Sequence, residues 1–431
     1  VVSNMHELID SGLTTFAYDY QGNNPSRSFS SMRKGEESAE TSFMTPSKEQ
    51  TYMERTIYNN LIKDTPQSVL EECNLGTKLN VPKWNYEGEI GNGSIIREMI
   101  GTSICNMYDS ANGCLDSVQV MFQPGKPSEQ QQPYGKQNAM RRSMIQSTSG
   151  STAMPMSPYI FDVMNVLTEM QREGLIRSIH GVHFTSDAIK ELNDCGFYLD
   201  SNSVECNLLD PTKFQVGGDM YRTCQRLEKE HGSSSSSLST RKAMRMVFHS
   251  PLAGGLLTNK YAHISRRHRS KTDEPLPSYM LPSEKRCYDT SLRGSWKKHY
   301  EEVHGTKIKR QHAWHVCEES LYKELRYVAL KHRVDEASVA LRWVMQMDHA
   351  GSVSVGSSLN TGFDEGKPFT RPRDLRKAFS FHLDEEDIER LANVAGRTFH
   401  DRSSEDDFDF DSSTGWTSDP AIDFANPKLW L

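Results

Sequence analysis

Asp19 and Tyr20 stand side by side in GLTTFAYDYQG, the stretch from Gly12 to Gly22. A carboxylate and a phenol can do acid–base work, provided the backbone puts them in reach of a substrate. The stretch follows an amphipathic helical pattern, MHELIDSGL, and enters a short apolar strand. Its polar residues therefore fall at the end of a strand, where a barrel enzyme keeps its chemistry. Lys78, in NLGTKLNVP, is a lysine near the end of another apolar run, and such a residue is either a working cation or a solvated one. Two glycine- and serine-rich stretches, SPLAGGLLTNKY (Ser250–Tyr261) and SVSVGSS (352–358), carry the residues for tight turns. The eight cysteines are scattered without a C-x-x-C pair, which indicates neither a zinc site nor a disulfide framework. They read as reduced thiols in an intracellular compartment.

Strand-like and helix-like segments alternate along the chain, the pattern of an α/β fold with a parallel sheet. The strand candidates are LTTFAY, CNLGTKLN, LDSVQVMF, IRSIHGVHF, NSVECNLL, AMRMVFHS and GSVSVGS. Helical patterns lie at Gln50–Ile62, Ser94–Tyr108, Tyr159–Glu173, Asp187–Cys195, Lys213–Glu230 and Trp314–Gln346. Right-handed crossovers between these strands fit a doubly wound sheet or, with one strand missing at the start, a (β/α)8 TIM barrel. Three stretches break the rhythm and read as rim insertions: a Gln-, Ser-, Pro- and Gly-rich loop near 125–158, a polar connector at 231–240, and a basic loop insertion at 264–312. The expected organisation is one barrel over residues 1–400, followed by an acidic, aromatic-ended tail over 401–431.

With 431 residues, 36% hydrophobic and 25% charged, the chain has ample material for a sizeable core. A formal net charge of −7 gives no global attraction to nucleic acid or to an anionic membrane. The basic runs ISRRHRSK and KIKR come without interleaved aromatic platforms and read as a solvated loop rather than a nucleic-acid contact. No apolar run is long enough to span a bilayer and no signal-peptide pattern opens the chain, so a soluble, cytoplasmic protein is expected. An organelle stays open, because the first residue is Val1 and a segment upstream may be missing.

SPLAGGLLTNKY resembles the aldo-keto reductase pattern of Ser-Pro-Leu, a glycine-rich turn and Leu-Leu-Thr-Gly-Lys-Tyr. The other pieces occur in the family's order: IRSIHGVHF for Ile-Arg-x-Ile-Gly-Val-Ser-Asn-Phe, SVECNLLDP for Gln-x-Glu-Tyr-Asn-Leu-Leu, ASVALRWVMQ for the Ala-Leu-x-Trp helix, and SVSVGSS for the last strand. The resemblance covers about Met5 to Arg397. It implies a (β/α)8 barrel that binds NADP(H) without a metal and reduces carbonyls. In that chemistry a tyrosine gives the carbonyl oxygen its proton, a lysine and an aspartate lower the tyrosine's pKa, and a histidine orients the carbonyl.

Carried over residue by residue, the resemblance gives a damaged site. Ungapped alignment on Gly12 and Phe16 sets Ala17 at the aspartate and Gly22 at the tyrosine, while a two-residue gap brings Asp19 and Tyr20 into those roles. Lys78 stands at the lysine, Met121 at the histidine and Phe122 at the neighbouring tryptophan. A methionine cannot hold a carbonyl oxygen by hydrogen bonding. In the nicotinamide clamp, His183 and Ser203 replace the Ser-Asn pair and the glutamine, with one residue deleted, and His249 replaces the stacking tyrosine. The pyrophosphate ledge remains as Ser250, Leu252, Gly254 and Lys260, and Gly356, Ser357 and Ser358 keep a small phosphate-accepting turn. Ser358 stands where an arginine would hold the 2′-phosphate, and Gly362 and Gly366 stand where the adenine would meet polar groups.

Two functions follow. One is a working reductase with a nicotinamide nucleotide and a small carbonyl compound as partners. The other is a barrel that has lost the chemistry and acts as a nucleotide-sensing or protein-binding module through its rim insertions. Losing a positioned general acid costs about two to four orders of magnitude in rate, and here the acid, its aspartate and the histidine are all displaced. Weak NADP(H) binding with impaired carbonyl reduction is the expectation.

Overall fold

The computed structural model describes residues 15–19, 73–81, 94–108, 113–122, 158–211, 214, 217–232, 243–258, 282–355, 363–364, 367–368 and 375–395. The chain forms two compact units, one built around residues 76–199 and the other around residues 200–431. Strand β1 (Thr15–Asp19) opens the described chain.

In the first unit β2 (Asn74–Val81), β3 (Leu115–Phe122) and β4 (Ile176–Val182) run parallel and neighbour one another in chain order. Residues alternate faces along a strand, so the register sorts them into rows. Gly76, Ser117 and Ser178 stand level, and Lys78, Gln119 and His180 form the next row on the same face. Gly76 is required there, because a Cβ on it would come within 2.1 Å of Ser117 Oγ. Val118 and Val120, on the other face of β3, are fully buried. Helices α1 (Ser94–Tyr108), α2 (Pro158–Arg172) and α3 (Ser186–Asp194) belong to this unit. In α2, Val163, Met164, Leu167 and Met170 recur at helical spacing and are fully buried, and α2 packs against β4. Thr185 caps α3 by accepting the Ala188 N–H at 3.2 Å.

In the second unit β5 (Ser201–Glu205), β6 (Arg245–His249) and β7 (Ala350–Ser354) again pair in parallel and in chain order. Helix α4 (Asp219–Gly232) lies between β5 and β6 in sequence. Phe248 on β6 meets Phe214 edge to face at 5.2 Å. Helix α5 (Pro282–Cys287) continues through a π-helical stretch, Tyr288–Trp296, into α6 (Lys297–His304). A second π-helical turn, Glu318–Tyr322, joins α7 (Ala313–Cys317) to α8 (Lys323–His332). Helix α9 (Glu336–Met345) and, near the end, α10 (Glu385–Ala395) complete the unit. Parallel strands separated by helices, neighbours in chain order, make this the (β/α)8 barrel class.

Each expected strand is found, with ends moved by a few residues. The helices needed more correction. Of the pattern Lys213–Glu230, the stretch from Asp219 on is helical, while Lys213, Gln215 and Val216 lie outside the described residues. The single helix expected over Trp314–Gln346 breaks after His332, where Arg333 turns left-handed (φ 57°) and Asp335 caps α9 by accepting the Ser338 N–H at 2.8 Å. Residues 282–304, inside the stretch expected as a basic loop insertion, are helical and anchor Tyr288, Leu292 and Trp296 in the core without exposure. The charged residues of that stretch hide a buried stripe. The pattern at Gln50–Ile62, the insertions up to residue 157 and at 233–240, and the tail 401–431 lie outside the described residues.

Candidate functional site

Strand β6 ends at His249 and the chain turns at once. Ser250, Ala253, Gly254 and Gly255 all have positive φ, at 56°, 49°, 68° and 110°. A non-glycine residue rarely takes that conformation, and two do so here within four positions. The turn is closed from within: Ala253 N–H donates to Ser250 O at 2.9 Å, Gly255 N–H to Leu252 O at 2.9 Å and Leu257 N–H to Leu252 O at 3.1 Å. Thr258 Oγ donates to Gly255 O at 2.7 Å. Among the described residues the N–H groups of Leu252 and Gly254 donate no hydrogen bond.

Neighbouring elements hold the turn in place. Asn207, just past β5, donates to Ser250 O at 3.2 Å and accepts the Leu209 and Asp210 N–H groups at 3.0 Å. Tyr322, at the end of the second π-helical turn, donates its hydroxyl to Leu256 O. Asp210 accepts the Ser295 hydroxyl at 2.9 Å, which ties the loop after β5 to the first π-helical stretch. The strand ends are polar: Glu205, His249 and Ser354 stand level at the carboxyl ends of β5, β6 and β7, and His249 Nδ1 lies 3.2 Å from Ser250 Oγ.

In the first unit the row Lys78, Gln119, His180 crosses β2, β3 and β4, with Lys78 and Gln119 half-buried and His180 buried. Ser178 Oγ lies 2.7 Å from His180 Nε2 and donates to Asp116 O at 2.5 Å. Since that hydroxyl has one hydrogen, the imidazole Nε2–H is the donor to Ser178. Burial holds the His180 pKa down at about 4, so the ring is neutral at ordinary pH. One row further along, Asn80 on β2, Met121 on β3 and Val182 on β4 stand level at the carboxyl end of the strands.

Of the residues expected from sequence, Ser203, His249, Ser250, Leu252 and Gly254 come together in the second unit, on β5, on β6 and in the turn after it. Lys78 is on β2, and His183 lies exposed just after β4 with φ 60°. Asp19 is the last residue of β1. Tyr20, Lys260, Gly356, Ser357 and Ser358 lie outside the described residues. Sequence reasoning missed Asn207, Gln119, Tyr322 and Glu284. An asparagine directly after a strand is a turn signal for Asn207, whereas Glu284 and Tyr322 are reached only through the helices of the insertion. Cys287 is no nucleophile, since burial, with Glu205 nearby, pushes its thiol up to about 11. Among the described residues no group of His, Cys, Asp or Glu side chains is arranged to hold a metal, and no helix is long and apolar enough to cross a membrane.

Residues 144–395 match the profile of the Aldo/keto reductase family, more than half of the chain. The chain belongs to this family. Among solved structures it is similar to an aldo-keto reductase of Bacillus halodurans in its holo form (12% identity, 93% of this chain and 88% of that one covered, TM-score 0.45). It is also similar to the glycerol dehydrogenase of Gluconobacter oxydans (13% identity, 93% and 86% covered, TM-score 0.47). An aldo-keto reductase of Klebsiella pneumoniae in complex with NADPH gives 11% identity, 93% and 86% coverage and a TM-score of 0.47. No curated protein matches the chain.

Proposed function

We propose that this family member is an NADP-dependent oxidoreductase-like protein that binds its nucleotide loosely and reduces small carbonyl compounds poorly. The observation that carries this reading is the turn after β6, where Leu252 and Gly254 have N–H groups that donate to nothing described and so suit a phosphate oxygen. The residues fit the diphosphate part of such a nucleotide: Ser250 and the two amides would hold it, with His249 and Ser203 toward the nicotinamide. The nucleotide supplies hydride, and the chain would have to supply a proton and hold the carbonyl. Met121, at the position the resemblance gives to the carbonyl-orienting histidine, offers the carbonyl oxygen no donor, which is the physical ground for impaired catalysis. With Ser358 in place of the arginine for the 2′-phosphate, about 1.5–3 kcal/mol of charge-assisted bonding is lost, enough to remove most of a ten- to hundredfold preference for NADPH over NADH. Residues 1–400 would form the one catalytic-type domain, with 401–431 a tail.

The same methionine at the histidine position favours, as a second reading, an inactive barrel that senses nucleotide or binds a protein through its rim insertions. Fluorescence titration with NADPH and NADH, run beside a turnover assay with common aldehydes and quinones, separates the two. Weak binding of both nucleotides with reduction near background supports the first reading. Robust turnover that Tyr20→Phe abolishes would overturn the impairment, and no binding of either nucleotide would leave only the interaction module. Changing Arg266, Arg267 and Arg269 to Ser tests whether the basic insertion replaces the missing contact to the 2′-phosphate. A strong NADPH preference that survives the triple change excludes it.

A further inference from the structure

Asn207 lies two residues past the end of β5 and is fully buried. Its Oδ1 accepts the Leu209 and Asp210 N–H groups, both at 3.0 Å. Two donors on that oxygen fix which end of the amide is which, so Nδ2 is the end that meets Ser250 O, at 3.2 Å. Turning the amide over would set its NH2 against two N–H groups and its oxygen against a carbonyl. Ser250 O also accepts the Ala253 N–H at 2.9 Å, so this carbonyl is held once from inside the turn and once from the loop after β5. Ser250 has a φ of 56°, a costly conformation for a residue with a side chain, and it persists where the surroundings hold it. The held carbonyl belongs to the peptide plane that Ser250 shares with Pro251. The proline ring fixes φ and carries no N–H, so a single rotation, ψ of Pro251, separates that plane from the one bearing the Leu252 N–H. At the far end of the turn, helix α5 packs against Ala253–Gly255, and a Cβ on Gly255 would stand 3.1 Å from Glu284 Oε1. Packing thus sets one end of the turn, and Asn207 sets the other.

We propose that Asn207 is a positioning residue for phosphate binding: by holding the Ser250 carbonyl it aims the Leu252 N–H at a diphosphate oxygen. This role rests on the reading of the turn after β6 as the phosphate ledge. It lets the loop after β5 act on a nucleotide through the turn.

The test uses the full chain, native and with Asn207→Ser, Asn207→Thr or Asn207→Asp. Serine and threonine keep a hydroxyl oxygen for the Leu209 and Asp210 N–H groups but are too short to reach Ser250 O. Aspartate keeps the shape and the accepted bonds, and sets a carboxylate against the Ser250 carbonyl. Thermal melts show which variants fold, and binding is measured well below each melting temperature, where lost stability alone leaves affinity unchanged. NADPH is titrated by fluorescence and inorganic pyrophosphate by calorimetry. Asn207→Ser is expected to weaken both ligands by the same factor, about threefold to tenfold, the worth of one neutral hydrogen bond. Asn207→Asp is expected to weaken both further. The emission of NADPH at saturation is expected to stay the same, because the nicotinamide end keeps its contacts. Asn207→Thr, which fills more of the buried space, carries the test if Asn207→Ser does not fold. Equal affinity of the native chain and the neutral variants overturns the role of Asn207 and leaves the ledge standing. A loss confined to Asn207→Asp overturns it too, because the added charge and not the lost donor would then be at work. So does a larger loss for NADPH than for pyrophosphate, or a changed emission, either of which marks a general loosening of the site. If the native chain binds neither ligand, the ledge and the role of Asn207 fall together.

Discussion

Replacing His180 by glutamine should flatten part of the chain's loss of stability in acid. His180 is 5% exposed, and burial holds its pKa at about 4 in the folded protein against an ordinary 6.5. The folded pKa is lowered, so between those two values the unfolded chain binds a proton that the folded chain refuses. Stability therefore falls as the pH drops through that window and is unaffected by this group above it. The gap corresponds to on the order of 3 kcal/mol in full, and to about 2 kcal/mol by pH 5. Urea denaturation at pH 7 and pH 5, on native protein and on His180→Gln, isolates the effect, since carboxylates titrate alike in both. The native protein should lose about 2 kcal/mol more than the variant. If the two lose the same within about 0.5 kcal/mol, His180 is already protonated or solvated in the folded state and the reasoning fails.

Other outcomes are equally direct. Asp387, fully buried, accepts from Lys331 at 2.8 Å and lies 2.7 Å from His332 Nε2, and it also completes a reciprocal cap with Asp384 at the start of α10. Asp387→Ala should cost about 2–4 kcal/mol in chemical denaturation, and Asp387→Asn visibly less. Tyr322→Phe leaves the buried carbonyl of Leu256 without its donor and should lower stability by about 1–3 kcal/mol, read as a drop in Tm. Lys78→Met should leave NADPH-dependent reduction of aldehydes within about twofold of the native rate, because without a positioned tyrosine the lysine has no acid to assist. A large fall in rate would show that the proton donor is present.

The strands were legible because their residues are simple. LDSVQVMF and IRSIHGVHF carry β-branched and apolar residues in short runs, and β3 runs from Leu115 to Phe122 as read. The glycine turn was legible too, since Gly254 and Gly255 sit where the backbone needs positive φ. Three things were hidden. The helices over 282–304 bury Tyr288, Leu292 and Trp296 among lysines, arginines and glutamates, and basic composition masked the spacing. Glu284 is polar in sequence and buried in the fold, which composition does not reveal. The rows Lys78–Gln119–His180 and Glu205–His249–Ser354 exist only once the strands are in register, a relation between residues far apart in the chain.

The two π-helical segments have a bearing on how the chain tolerates changes in length. An α-helix advances 100° per residue, so deleting one residue from α8 would rotate everything after it and swing Leu325 and Val328 out of the core. A π-helical turn already holds one residue more than an α-turn in the same circuit. Removing one residue within Glu318–Tyr322 lets that turn rewind as α and leaves the angular phase on both sides unchanged. What such a deletion would disturb is local, chiefly the reach of Tyr322 to Leu256 across to the glycine turn. These segments are points where the helix can gain or lose a residue without refacing its core, and one of them ends on the side chain that braces the glycine turn after β6.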